Sequence, residues 1–355
     1  MVVRLAIIGG FLGSGKTTLI NKVAKELKSE GKNIGLIMND QGEALVDTQY
    51  CNGNGFETAE VLRGCFCCHF NDFMMGAKGL VGKSKPDFII AEPVGSCTDL
   101  QATVVAPLKT LYNKEFKVAP LMVMVDCSRI SSDEIEGKSL GGYLRKHQIA
   151  EADVIILSKV DMIPKARSEE IRKAVIELNP EAKVLSYSAV TGEGLDQILH
   201  IIRSDEMPVR KPVDIDYDKY AAAEAELGWY NGKFKVSGDR VDAYDLATRI
   251  LRNLSMTYEP QDVAHAKIMV KSKTNLAKIS AVYSMLLIDA VEGSRYAIGE
   301  VEVTLNARIV STPDLLRNNM HTAVEKALTD MGLGKVVITD DCFAPGRPNP
   351  TYRMT

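Results

Sequence analysis

The chain has 355 residues, 46% hydrophobic and 25% charged, the make-up of an ordinary folded protein long enough for two domains, each with its own core. Lys and Arg number 43 against 46 Asp and Glu, and the formal charge of -3 excludes the basic excess of a nucleic-acid or anionic-membrane surface. No run of about eighteen apolar residues and no charged leader occurs, so no membrane span is expected and a cytoplasmic location follows. In that reducing compartment clustered thiols bind metal or do chemistry rather than form structural disulfides.

Taken in chain order, apolar runs at Val2 to Ile8, Ile34 to Met38, Phe88 to Ala91, Leu121 to Val125, Val154 to Leu157 and Val184 to Tyr187 read as strands. They are short and β-branched, as strands covered on both faces should be, and amphipathic stretches between them read as helices. The first helix, about Lys16 to Lys28, carries Leu19, Ile20, Val23, Ala24 and Leu27 on one stripe. The expected fold is α/β: a P-loop domain over residues 1–205 with a mainly parallel sheet flanked by helices. "MPVRKPVDIDYDKY" marks a linker, residues 206–222. Residues 223–355 read as a smaller α+β domain of order β, α, β, β, α, β, the order of a ferredoxin-like plait. Its last strand is expected at "GKVVIT", and the tail "CFAPGRPNPTYRMT" as irregular.

"GFLGSGKTT", Gly10 to Thr18, follows the first strand and opens the first helix, the context that a phosphate-binding G-x-x-x-x-G-K-[ST] loop requires. Backbone N–H groups of Gly13, Ser14, Gly15, Lys16, Thr17 and Thr18 can surround phosphates, Lys16 can reach the terminal ones, and the Thr17 hydroxyl can ligate magnesium. A carboxylate ending a later strand should hold magnesium and position water, and "DFIIAEPVG" supplies Glu92. In "VIILSKVD" Lys159 can lie over a base while Asp161 accepts two hydrogen bonds from a guanine edge. "VLSYSAVTGEG" offers backbone N–H from Ser188 and Ala189 to the guanine oxygen.

These residues resemble the GTPases of the CobW, UreG and HypB group, most of all its CobW-like branch. The resemblance runs from residue 1 to about 203. It rests on Gly10 to Thr18, "NDQGEALVD" from Asn39 to Asp47, the G-C-x-C-C element Gly64 to Cys68, the E-x-x-G of Glu92 to Gly95, "QIAEAD" from Gln148 to Asp153, and the base motif. It implies GTP and GDP as ligands, magnesium, a second metal, and a client protein that receives it, a metalloprotein or a corrinoid protein; a homo-oligomer is compatible with it. Ser158 stands where the family usually has asparagine, removing an amide that would contact the base and brace the loop. Asp47, in the segment that should sense the γ-phosphate, can orient water; the catalytic set is thus Lys16, Thr17, Asp47 and Glu92.

"RGCFCCHF" places Cys65, Cys67 and Cys68 within four positions, out of seven cysteines in the chain. On an extended strand Cys68 would face away from the other two, so they converge only at a turn. Three thiolates suit zinc, or cobalt as the alternative, and leave a fourth position for water, His69, Glu43 or a receiving protein. Buried free thiols packing with Phe66, or a redox pair, are the competing readings. Cys51, Cys97, Cys127 and Cys342 stand apart and read as core or loop residues. The leading function is a metal-responsive GTPase that delivers metal. A regulatory switch that senses nucleotide and metal, or a P-loop kinase of small molecules, would be the alternatives.

Overall fold

The computed structural model describes residues 2–39, 46, 55–62, 64–283 and 285–354. They form two compact units, the first holding 2–39, 55–223 and 347–354, the second Val46 and 224–346. No helix among the described residues is long and apolar enough to cross a membrane.

In the first unit the strands are β1 (Val3–Gly10), β2 (Ile34–Asn39), β3 (Glu57–Val61), β4 (Phe88–Glu92), β5 (Phe116–Val118), β6 (Met122–Asp126), β7 (Val154–Ser158) and β8 (Lys183–Tyr187). The helices are α1 (Lys16–Ser29), α2 (Phe70–Ser84), α3 (Ala106–Leu111), α4 (Ser132–Glu136), α5 (Leu140–Glu151), α6 (Lys165–Leu178), α7 (Leu195–Arg203) and α8 (Tyr217–Ala225). The sheet order is β3-β2-β4-β1-β6-β7-β8, with β5 beside β1, and every pairing is parallel. Every residue of β1 is buried, the consequence of helices on both faces. Parallel strands end at one edge, so the residues following β1, β2, β4, β7 and β8 gather there, where ligands of open α/β sheets bind.

Two strands escaped the sequence reading. β3, "ETAEV", is half-wetted at the sheet edge and has no apolar run, and β5 is only three residues long.

The second unit is an antiparallel six-stranded sheet built from β9 (Leu227–Asp242), β10 (Val263–Lys271), β11 (Asn275–Val282), β12 (Met285–Gly293), β13 (Tyr296–Val310) and β14 (Thr339–Phe343). Helices α9 (Ala243–Ser255) and α10 (Pro313–Asp330) bury Leu246, Ile250, Leu254, Leu316, Met320 and Val324 in its core. Its order, β12-β11-β10-β13-β9-β14, contains the ferredoxin-like arrangement β14-β9-β13-β10 extended by the β11–β12 hairpin. The hairpin was not expected because β12 is mostly exposed and carries no clean alternation. The last strand is Thr339–Phe343 rather than "GKVVIT".

The division of the chain differs from expectation at two places. Residues 206–216 are no free linker: the Val209 and Arg210 N–H groups bond Asp153 Oδ1 at 2.8 and 2.7 Å. The tail from Arg347 belongs to the first unit, not the second.

Candidate functional site

The phosphate loop joins β1 to α1, with Gly13 in its turn, Gly15 at the helix N-cap, and Thr18 exposed in the first helical turn. Ser14 is 1% exposed, and its N–H bonds the Phe11 carbonyl at 3.2 Å. Lys16 Nζ donates to the carbonyls of Gly10 (2.8 Å) and Phe11 (3.2 Å) and sits 4.0 Å from Glu92. The Thr17 hydroxyl meets both Glu92 carboxylate oxygens at 3.1 and 3.0 Å. Hydroxyl and carboxylate oxygens are the donors that a hard divalent cation takes, so the pair fits magnesium. Asp47 and Glu43 lie outside the described residues.

On the base side, Lys159 Nζ bonds Gly13 O at 3.0 Å and Asp126 Oδ2 at 2.7 Å. Burial opposes ionisation of Asp126, yet Arg129 and Lys159 outweigh it and hold this carboxyl below its usual range. Asp161 lies exposed in a short turn after Lys159. Ser158 keeps the bracing role expected to be lost, because its hydroxyl lies 2.8 Å from Ser14 O. Ser188 departs from expectation. Its N–H is committed to the Glu193 carbonyl at 3.1 Å and its hydroxyl accepts from the Val190 and Thr191 N–H groups. Among the described residues no partner takes the Ala189 N–H, so of the two only Ala189 keeps a donor for a base.

The cysteines follow β3 in a turn that precedes α2, closed by His69 N–H to Cys65 O at 2.9 Å. Three features shape it. Gly64 leaves room for the His69 ring, since a Cβ there would lie 2.0 Å from it and displace that side chain. Phe66, Phe70 and Phe73 root the turn in the core, with ring centroids 4.6 Å apart for Phe66 and Phe73. Asn39, at the end of β2, accepts the Phe66 N–H (2.9 Å) and donates to Val61 O (2.9 Å) and Gly64 O (2.6 Å).

The result is convergence: Cys65 Sγ lies 2.6 Å from Cys67 Sγ and 3.2 Å from Cys68 Sγ, and the three ligand atoms all lie within 4.8 Å of one another. Cys65 and Cys67 are buried, Cys68 partly so. Hydrogen bonds from Cys67 and Cys68 pull the Cys65 thiol well below its usual range, while the same contact with Cys65 pushes Cys67 well above and Cys68 up to about 12. Three sulfurs brought this close suit a soft or borderline cation, which displaces their protons on binding, and this donor set fits zinc. His69 does not join: its Nδ1 faces Asp72 Oδ2 at 3.1 Å.

Sequence reasoning missed four contributors. Cys97 is no bystander, for its thiol interacts with those of Cys65 and Cys67. Gln148, noted only as part of a motif, bonds the carbonyls of Gly95 (3.0 Å) and Cys97 (2.8 Å), holding the loop that leaves Glu92. Glu151 from the same helix accepts the Gln101 N–H at 3.0 Å, and burial pushes its carboxyl up to about 8. The tail also covers the turn: Asn349 N–H reaches Cys68 Sγ at 3.2 Å, Thr351 N–H reaches Cys67 O at 2.8 Å, and Arg353 pairs with Asp99 at 2.9 Å. Nothing in "RPNPTYR" signals this, because the Asn349 and Thr351 N–H bonds to the turn are backbone bonds that any residue but proline could make.

A parallel sheet that gathers a phosphate loop, the Thr17–Glu92 pair and Lys159 at one edge defines a P-loop nucleotide-binding domain, here with three converging thiols beside it. The chain belongs to the family whose model is described as CobW/HypB/UreG, nucleotide-binding domain, which matches residues 4–186, just over half of the 355. Among curated proteins it is 30% identical to the zinc chaperone CobW of Sinorhizobium sp over 48% of this chain and 54% of that one. It is 26% identical to the zinc-regulated GTPase metalloprotein activator 1 of Dictyostelium discoideum over 51% of this chain and 45% of that one. The chain thus spans about half the length of these relatives. Among solved structures, the hydrogenase maturation factor HypB of Archaeoglobus fulgidus aligns with a TM-score of 0.42 at 21% identity, covering 57% of this chain and 89% of that one.

Proposed function

We propose that this protein is a GTP-hydrolysing metal-transfer factor. It holds zinc on Cys65, Cys67 and Cys68 while GTP is bound, docks on a client metalloprotein in the cytoplasm, and releases the ion once the terminal phosphate has left. The observation that supports this reading is that the cysteine turn hangs on two elements of the nucleotide edge. Asn39 at the end of β2 fixes the Phe66 N–H, and the loop from Glu92, partner of Thr17, leads to Cys97 beside the sulfurs. A change at the γ-phosphate therefore has two routes to the cradle, one through the hydrogen bond of Asn39 and one along the loop from Glu92. The relatives' names, zinc chaperone and zinc-regulated GTPase metalloprotein activator, favour zinc. Cobalt delivered to a corrinoid protein would use the same sulfurs.

In hydrolysis of GTP to GDP and phosphate, Lys16 sits where its ammonium group neutralises charge on the terminal phosphates, and the loop N–H groups orient them. Thr17 and Glu92 would hold magnesium, which when bound neutralises charge on the β- and γ-phosphate oxygens. Lys159 lies along the base, Asp161 accepts from the guanine edge, and Ala189 N–H donates to the guanine oxygen. Asp47 orients the attacking water.

Metal affinity of the purified protein with GDP and with a non-hydrolysable GTP analogue tests the reading. The triphosphate state should bind zinc at least about tenfold more tightly, and by linkage zinc should tighten analogue binding by the same factor. Equal affinities in the two states would remove the coupling. An unaltered affinity in Cys67→Ser would remove the ligand assignment.

A further inference from the structure

We propose that Asp126 is a positioning residue of the nucleotide site: its carboxylate pins Lys159 in the extended pose in which that side chain lines the base. This rests on the reading of Lys159 as the base-side lysine and adds the group that holds it there. Asp126 ends β6, in register with Ser158 at the end of β7, and is 8% exposed. Its two oxygens have separate tasks. Oδ1 accepts the Ser128 N–H at 3.0 Å and the Ser128 hydroxyl at 2.6 Å, which closes the turn after the strand. Oδ2 accepts Lys159 Nζ at 2.7 Å and Arg129 Nε at 2.5 Å. Burial of an unpaired carboxylate is costly, and here two cations offset it and keep the group ionised. Arg129 also reaches the phosphate loop, with Nη2 3.4 Å from Leu12 O, so it holds the carboxylate in place while the carboxylate holds the lysine.

A lysine has four rotatable side-chain bonds, and ordering them at the moment of binding would weaken affinity. Here both ends of the side chain are fixed beforehand. The Lys159 backbone takes a left-handed conformation, φ 60°, which a residue other than glycine adopts at a cost and which functional sites retain. At the far end Nζ is caught between Gly13 O at 3.0 Å and Asp126 Oδ2. The stem therefore runs from the loop after β7 to the phosphate loop, and a base laid along it meets a surface that is already set.

Asp126→Asn isolates this task, because the amide oxygen can keep the Ser128 turn while the charge that draws Lys159 is lost. GDP affinity, measured by calorimetry, should fall about tenfold. The KM for GTP should rise by about the same factor with kcat falling less than about threefold, since the base is remote from the reacting phosphate. In the double variant Asp126→Asn with Lys159→Ala, GDP affinity should stay within about twofold of Lys159→Ala alone, because the carboxylate then has no lysine to place. Losses that multiply in the double variant would make Asp126 a structural residue and overturn the inference, as would GDP affinity in Asp126→Asn equal to that of the wild type. A crystal structure of the wild type with GDP, which needs no variant, should keep Lys159 Nζ within hydrogen-bond reach of Asp126; a lysine that has left the carboxylate also overturns it. Should Lys159→Ala by itself leave GDP affinity unchanged, the base-side reading falls together with this inference.

Discussion

The phosphate loop and the cysteine turn lie at the same edge of one sheet, yet they are assembled in opposite ways. The first is one contiguous segment closed by bonds within a few positions, Lys16 to Gly10 and Phe11 and Ser14 to Phe11, and only braced from outside, by Ser158 on Ser14 O and Lys159 on Gly13 O. The second is held from far along the chain, by Asn39 from β2, by Gln148 through the loop of Cys97, and by Thr351 from the tail. The more distant the elements that hold a segment, the more of the fold it responds to, as the proposed coupling of metal to nucleotide requires.

The contrast can be broken or sharpened by experiment. The largest effect is expected from Lys16→Ala, which should cut phosphate release about 10²- to 10³-fold. Zinc affinity without nucleotide should stay within about twofold, and a parallel loss of zinc would mean the two sites are not separately built. Next comes Glu151, part of the bracing around residues 98–101. Because burial raises its folded pKa to about 8 from an ordinary 4.5, the folded protein keeps a proton that the unfolded chain releases. Stability is complete below about pH 4.5 and falls as pH rises toward 8, by roughly 3 kcal/mol at one pKa unit per 1.36 kcal/mol with allowance for relaxation. Urea unfolding from pH 5 to 8 should show this slope, and Glu151→Gln should flatten it; an unchanged slope assigns it to another group.

Asn39→Ala should weaken zinc binding by about 10- to 100-fold, as loss of a group that positions metal ligands does. GDP affinity should hardly move, and chelator competition measures the first against the second. Equal losses of zinc and GDP would erase the distinction between the regions. The smallest effect is expected from shortening the chain after Gly346, which uncovers Cys68. Zinc release to a chelator should quicken about tenfold, equivalent to the loss of one or two hydrogen bonds. An unchanged rate would make the tail a packing element only.

Much of the fold was legible because parallel strands buried on both faces must be apolar runs, and those between Val3 and Tyr187 stand out. The plait core was legible for a related reason, the amphipathic helices that bury Leu246 to Leu254 and Leu316 to Leu328. Edge strands β3 and β12 were not, since a half-wetted edge needs no apolar pattern. In the site, the phosphate loop was readable residue by residue. Ser158 and Ser188 were misjudged because their hydrogen-bond partners decide what each group is free to do: Ser14, far along the chain, for Ser158, and Glu193, across a local turn that no motif marks, for Ser188.

By itself the sequence determined the segments whose chemistry is local: the glycine-rich loop, the strand ending in Glu92, and the bunching of Cys65, Cys67 and Cys68. Tertiary structure alone decided that Asn39 holds their turn and that the tail closes over Cys68. The physical reason is range: a turn or helix start is set by neighbours a few positions away, whereas the strand end and the tail that hold the cysteine turn reach it only after the sheet has formed.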